Sequence, residues 1–206
     1  MNRTQTYVVC GAVVISVIIT YFSFNRTTIR NLNSGGTSIV AFGDSLVEGF
    51  GSTPGHDIFS ILGERIGEPI INLGVSGDTT AQAIGRIQEV LDRDPRLVII
   101  LLGGNDYLKK VSIDTTFDNL EKIVDATQAQ GSAVLILGVR GGLLRDTYDN
   151  RFEDFANEHQ TGFVPNVLDG LLGDSRYMRD AVHPNDVGYK MIADKVEPIL
   201  RKMLIK

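Results

Sequence analysis

Three short stretches of this chain run apolar without the alternation of a half-exposed strand. Residues 38–42 read SIVAF, 97–102 read LVIILL and 133–137 read AVLIL. A strand with one wet face alternates apolar and polar side chains; a run without alternation must be covered on both faces, as in a parallel sheet between two helical layers. Each run ends at Gly or just before one, and helix-length amphipathic stretches lie between. Strands are expected at residues 38–43, 69–73, 97–102, 133–138 and 162–165, and helices at 57–66, 80–92, 116–130, 146–160 and 186–204. The fold class is therefore α/β, a three-layer α/β/α sandwich around a five-stranded, mainly parallel sheet. Ligands of such sheets sit beyond the carboxyl ends of the strands, which directs attention to the residues that follow each strand.

The chain has 206 residues and is 43% hydrophobic, enough for one sizeable core. Its amino terminus is a separate physical object. Residues 7–24 read YVVCGAVVISVIITYFSF without a charged side chain, and as a helix they extend ~27 Å, close to the hydrocarbon thickness of a bilayer. Residues 1–24 are thus expected to form a single transmembrane anchor. A signal peptide has a shorter apolar region and a small-residue cleavage site, and none follows Phe24. Secretion after cleavage is kept as the alternative. Arg3 on one side is balanced by Arg26 and Arg30 on the other, so charge leaves the orientation nearly tied, and the signal-like position favours an extracytoplasmic, periplasmic-side domain. Residues 25–37, polar with paired glycines at 35 and 36, read as a flexible linker, and 38–206 as the folded domain.

Composition excludes several partners. A net charge of −5 and a pI near 5.2, with no cluster of Lys and Arg, disfavour a nucleic-acid surface. The single cysteine, Cys10, forms no intramolecular disulfide or thiolate cluster. His56, His159 and His183 do not fall at zinc-ligand spacing, so no metal and no cofactor is expected.

Four segments remain. After the first strand comes Gly43-Asp44-Ser45-Leu46, after the second Gly74-Val75-Ser76-Gly77-Asp78-Thr79, and after the third Gly103-Gly104-Asn105-Asp106. Before the last helix stands Asp180-Ala181-Val182-His183-Pro184. Any one is a common loop sequence; four in this order, at these places, are specific. Together they resemble the SGNH (GDSL) hydrolase family, in particular the lysophospholipase and arylesterase group that includes bacterial thioesterase I. The resemblance runs from about residue 38 to 204 and implies a flavodoxin-like sheet.

The residues also speak for themselves. Acyl transfer needs a nucleophile, a base, a group to orient the base and donors for the oxyanion. Ser45, at the end of a buried strand, is the candidate nucleophile. No G-x-S-x-G occurs, so the nucleophile elbow of α/β-hydrolases is absent. The helix after Ser45 is expected to start late, because residues 49–55, GFGSTPG, are loop composition. Asp180 precedes His183 by three, a spacing that lets a carboxylate reach Nδ1–H while Nε2 faces the serine, and Pro184 biases His183 towards extended backbone. The resemblance implies two oxyanion donors besides the Ser45 N–H: the backbone N–H of Gly77 and the side-chain amide of Asn105. Asp44 and Asp106 are read as loop anchors.

Each residue has a plainer reading. Ser45 alone is an ordinary turn serine, His183 a surface histidine and Asp180 a turn aspartate; their weight comes from occurring together. A second Gly-Asp-Ser at residues 173–175 follows no buried strand and reads as a loop. Leu46, Phe50, Tyr107 and Leu108 are expected to line an apolar cleft suited to an acyl or aromatic group. The expected function is a serine hydrolase of carboxylic esters or thioesters acting through an acyl-enzyme on Ser45. A carbohydrate O-acetyl esterase and a membrane-tethered binding module without turnover are the alternatives.

Overall fold

The structure, a computed structural model, describes residues 28–139 and 147–205. Five parallel strands form one sheet in the order β2-β1-β3-β4-β5. They are β1 (Ser38–Gly43), β2 (Ile70–Gly74), β3 (Pro95–Leu101), β4 (Ala133–Leu137) and β5 (Gly162–Val164). The expected strands are all present, within two residues at either end. Every residue of β4 and all but the first of β1 are buried. Successive side chains point to opposite faces, so both faces are covered, as the unalternating runs require.

The helices are α1 (Ser45–Glu48), α2 (Ile58–Ile66), α3 (Thr80–Ile84), α4 (Ile87–Leu91), α5 (Gly104–Leu108), α6 (Ile113–Ala129), α7 (Thr147–Glu158) and α8 (Asp186–Leu204). On one side α2 packs against α8, and Arg65 of α2 bridges Asp194 (2.8 Å) and Glu197 (2.9 Å) of α8. Elsewhere α3 and α4 pack against α6.

Two expectations need correction. The single helix expected over residues 80–92 is broken: Gly85 ends α3, and Arg86 leaves helical geometry at φ −122° as its side chain turns inward. The helix expected to start late after Ser45 is preceded by a one-turn helix that Ser45 itself opens. Within the stretch read as a linker, three of the described residues bond to the domain. The Arg30 N–H donates to the Gln160 carbonyl (2.8 Å), and the Asn31 amide donates to the carbonyls of Gln128 (2.8 Å) and Ser132 (3.1 Å). The Thr37 N–H donates to the Asp94 carbonyl (2.8 Å), and Ile29 packs on the core. Backbone N–H groups of Arg30 and Thr37 and the side chain of Asn31 thus satisfy carbonyls just before β5, β3 and β4. The expected membrane anchor lies outside the described residues.

The strand order reverses between β1 and β3, which lie side by side with one chain direction continuing towards β2 and the other towards β5. Such a switch point opens a crevice at the carboxyl edge. Ser45 follows β1 and Asn105 follows β3, so the two stand on either side of it.

Candidate active site

Asp44 caps α1: its Oδ1 accepts from the Leu46 N–H at 3.0 Å, which fixes the turn that presents Ser45. Ser45 is 8% exposed, and its Oγ lies 3.0 Å from His183 Nε2 although 138 residues separate them. The loop before α8 is folded by its own acid. Asp180 Oδ1 accepts from the backbone N–H groups of Val182 (2.9 Å) and His183 (2.8 Å), and the imidazole Nδ1 lies 2.8 Å from Asp180 Oδ2. An antiparallel bridge between Met178 and Pro184 closes this loop, and Asn185 then caps α8 by accepting from the Gly188 N–H at 3.1 Å.

Burial by itself raises the Asp180 carboxyl, but the bonds from Val182 and from the His183 ring and backbone outweigh it and hold it down to about 2. Asp180 is therefore a carboxylate, which only accepts hydrogen bonds. That requires Nδ1 of His183 to carry the proton and leaves Nε2 to accept from the Ser45 hydroxyl. The Phe50 ring lies 4.5 Å from the imidazole, centroid to centroid.

The second and third segments are strapped together from inside. Arg86 is mostly buried; its Nε donates to Asp78 Oδ2 (2.6 Å), and its terminal nitrogens donate to the carbonyls of Leu73 (2.8 Å) and Gly43 (2.7 Å). The guanidinium also lies 4.4 Å above the Phe42 ring. One side chain thus ties the ends of β1 and β2 to the loop that carries Gly77. Gly77 sits at φ +86°, a left-handed conformation that demands glycine there, and Gly103 at φ +107° likewise opens α5. Asn105 Nδ2 donates to the Asp78 carbonyl (3.0 Å) and to Asp44 Oδ2 (3.3 Å). Asp106 is fully buried and accepts from both the N–H and the hydroxyl of Thr80 (2.9 and 2.6 Å), anchoring the α3 and α5 turns to each other.

These groups open onto a cavity of about 700 Å³. Its wall includes Ser45, Asn105, Asp180 and His183, and the expected apolar residues Leu46, Tyr107 and Leu108. Phe50 and Gly77 are not on that wall. Phe50 instead sets its ring beside the imidazole, and its carbonyl accepts from the Tyr189 hydroxyl at 2.7 Å. Sequence reasoning missed Val139, Leu168, Leu172 and Met178, which complete the apolar wall, and Arg86. The doublet Leu171-Leu172 was visible only as a leucine-rich turn, and Arg86 only as a helical position. Ser175 of the second Gly-Asp-Ser lies on the wall, with no histidine bonded to it among the described residues; its Asp174 pairs with Arg176 at 2.6 Å.

Comparison with known proteins agrees with this architecture. The chain is 27% identical over 179 residues to esterase TesA of Pseudomonas aeruginosa, covering 81% of this chain and 89% of that protein. It is 28% identical to an arylesterase of Vibrio mimicus, with the same coverage of each. To the thioesterase 1/protease 1/lysophospholipase L1 of Escherichia coli K12 it is 25% identical, covering 76% of this chain and 80% of that one. The crystal structure of TesA superposes with a TM-score of 0.73 over 81% of this chain and 99% of its own. That of AlinE4, an SGNH-hydrolase family esterase 33% identical to this chain, superposes at 0.63 over 84% and 100%. Residues 41–191, which hold all four segments, match the model of the GDSL-like lipase/acylhydrolase family; the chain belongs to that family and is a hydrolase.

Proposed function

We propose that this protein cleaves esters and thioesters of apolar acyl chains through an acyl-enzyme on Ser45. The observation that carries this reading is the unbroken chain from Ser45 Oγ through His183 Nε2 and Nδ1 to Asp180, with contacts of 3.0 and 2.8 Å, at the mouth of an apolar cavity. As Ser45 Oγ attacks the carbonyl carbon, its proton passes to Nε2, and Asp180 stabilises the imidazolium formed. The carbonyl oxygen becomes an oxyanion held by the N–H groups of Ser45 and Gly77 and by the Asn105 amide. Collapse expels the alcohol or thiol, which takes the proton from Nε2. Water then attacks the Ser45 ester by the same route and releases the acid. Relatives named esterase, arylesterase and thioesterase support both leaving groups. Leu108, Leu168, Leu172 and Met178 favour an acyl chain over a sugar.

The test is labelling with a fluorophosphonate probe, together with hydrolysis of p-nitrophenyl esters. The wild type should react and turn over, and Ser45→Ala should lose the label and about 10⁴-fold or more in kcat. Turnover surviving in Ser45→Ala would remove Ser45 from the chemistry.

The apolar run at residues 7–24 supports attachment to a membrane, with the catalytic domain on the extracytoplasmic side. Among the described residues no helix is long and apolar enough to cross one. Arg30, Asn31 and Thr37 bond to carbonyls just before β5, β4 and β3, at the amino edge of the sheet. An anchored chain would thus hold its amino edge towards the bilayer and its cavity, at the carboxyl edge, away from it.

A further inference from the structure

Asp44 is a carboxyl group only 3% exposed, and its two oxygens serve two different parts of the site. Oδ1 accepts from the Leu46 N–H (3.0 Å), in the turn that carries Ser45. Oδ2 accepts from Asn105 Nδ2 at 3.3 Å and lies beside the Gly103–Gly104 turn that leads into α5. The guanidinium of Arg86 is taken by Asp78, Leu73 and Gly43, and among the described residues no cation is bonded to Asp44. Burial accordingly pushes the carboxyl up to about 7, although the Leu46 bond opposes it. A desolvated carboxyl held this way is unfavourable compared with an apolar side chain unless its two contacts do something an apolar one cannot.

Both hydrogens of the Asn105 amide are engaged inside the protein in this structure. The shorter bond, to the Asp78 carbonyl at 3.0 Å, fixes the amide in place. The longer one, to Asp44 at 3.3 Å, is the weaker and therefore the one a developing oxyanion can displace. We propose that Asp44 is a positioning residue: by holding the Ser45 turn with one oxygen and the transferable hydrogen of Asn105 with the other, it sets the oxyanion donor in register with the nucleophile. The inference rests on Asn105 being an oxyanion donor. Asp44 acts through Asn105 and does not touch the substrate.

The test is a double-mutant cycle on kcat. Asp44→Asn and Asp44→Ser each keep an oxygen able to cap the Leu46 N–H, and each removes the carboxylate that Asn105 faces. Either should lower kcat about 10- to 100-fold with KM changed no more than about two-fold, because misaligning a donor weakens the transition state and not ground-state binding. In an Asn105→Ala background the same substitutions should cost no more than about two-fold, since the group they act through is gone. Losses that multiply in the double variant would mean that Asp44 works only through α1 or the fold, and the inference falls. Wild-type kcat in Asn105→Ala alone would instead overturn the oxyanion reading, and this inference with it. Failure of both Asp44 variants to fold would make the residue structural and equally end the proposal.

Discussion

The Tyr189 hydroxyl donates to the Phe50 carbonyl oxygen over 2.7 Å, and the Phe50 ring lies 4.5 Å from the His183 imidazole. Tyr189 is fully buried in α8, so this bond fastens the helix that follows His183 to the loop that follows Ser45. Burial pushes its phenol well above the usual range, which keeps it a donor at any working pH. Tyr189→Phe leaves the Phe50 carbonyl without its partner and should cost about 1–2 kcal/mol of stability. It should also lower kcat about two- to ten-fold by loosening the ring that flanks the imidazole. Thermal unfolding and ester hydrolysis by the variant check the two effects separately; unchanged values of both would show the bond to be inconsequential.

The two carboxyls of the site pull stability in opposite pH directions. Asp44 is raised to about 7, chiefly by burial, against ~3.9 in an unfolded chain. Its neutral form favours folding fully below about pH 4, and that contribution is lost as pH rises through the folded value. Asp180 is held down to about 2, so its contribution is present above about pH 4 and lost as pH falls towards 2. The stability of wild type relative to Asp44→Asn should therefore decline between pH 4 and 7.5 and then level off, as read from urea midpoints at a series of pH values. A difference that is flat across that range would mean that Asp44 is ionised throughout.

The cavity wall should set acyl length. Leu168 is almost fully buried and faces the cavity, so a larger side chain there would fill part of that space. Leu168→Trp should reduce kcat/KM at least about ten-fold for long p-nitrophenyl acyl esters, while acetate and butyrate esters lose less than about three-fold. Equal losses along the series would place the acyl chain elsewhere.

Attachment through residues 7–24 predicts that the full chain sediments with membranes, and that its intact mass includes the first 24 residues. A soluble product beginning after Phe24 would replace the anchor by a cleaved signal. Protease added to intact cells and to spheroplasts should reach the domain only from the extracytoplasmic side.

Much of this protein was legible from local pattern. Residues 39–42, 97–102 and 133–137 had to be doubly covered strands because no polar side chain interrupts them, and the parallel sheet follows. The proximity of Asp180 to His183 was also a local matter, because three residues are enough for a carboxylate to reach both the backbone and the ring that follow it. Other features are set by contacts between distant segments, and no periodicity announces those. Arg86 breaks a helix that its neighbours would have continued, because Asp78, Leu73 and Gly43 converge on its guanidinium only once β1 and β2 lie side by side. The bonds of Arg30, Asn31 and Thr37 to carbonyls of Gln160, Gln128, Ser132 and Asp94 likewise join segments far apart in sequence. Phe50 packs beside His183, and a tyrosine 139 residues away holds its carbonyl. The chain by itself determined which groups are present for acyl transfer and at which strand ends they stand. Tertiary structure decided which of them meet, since a hydrogen bond needs its partners within about 3 Å and only packing of the whole sheet brings Ser45, Asn105 and His183 to one cavity.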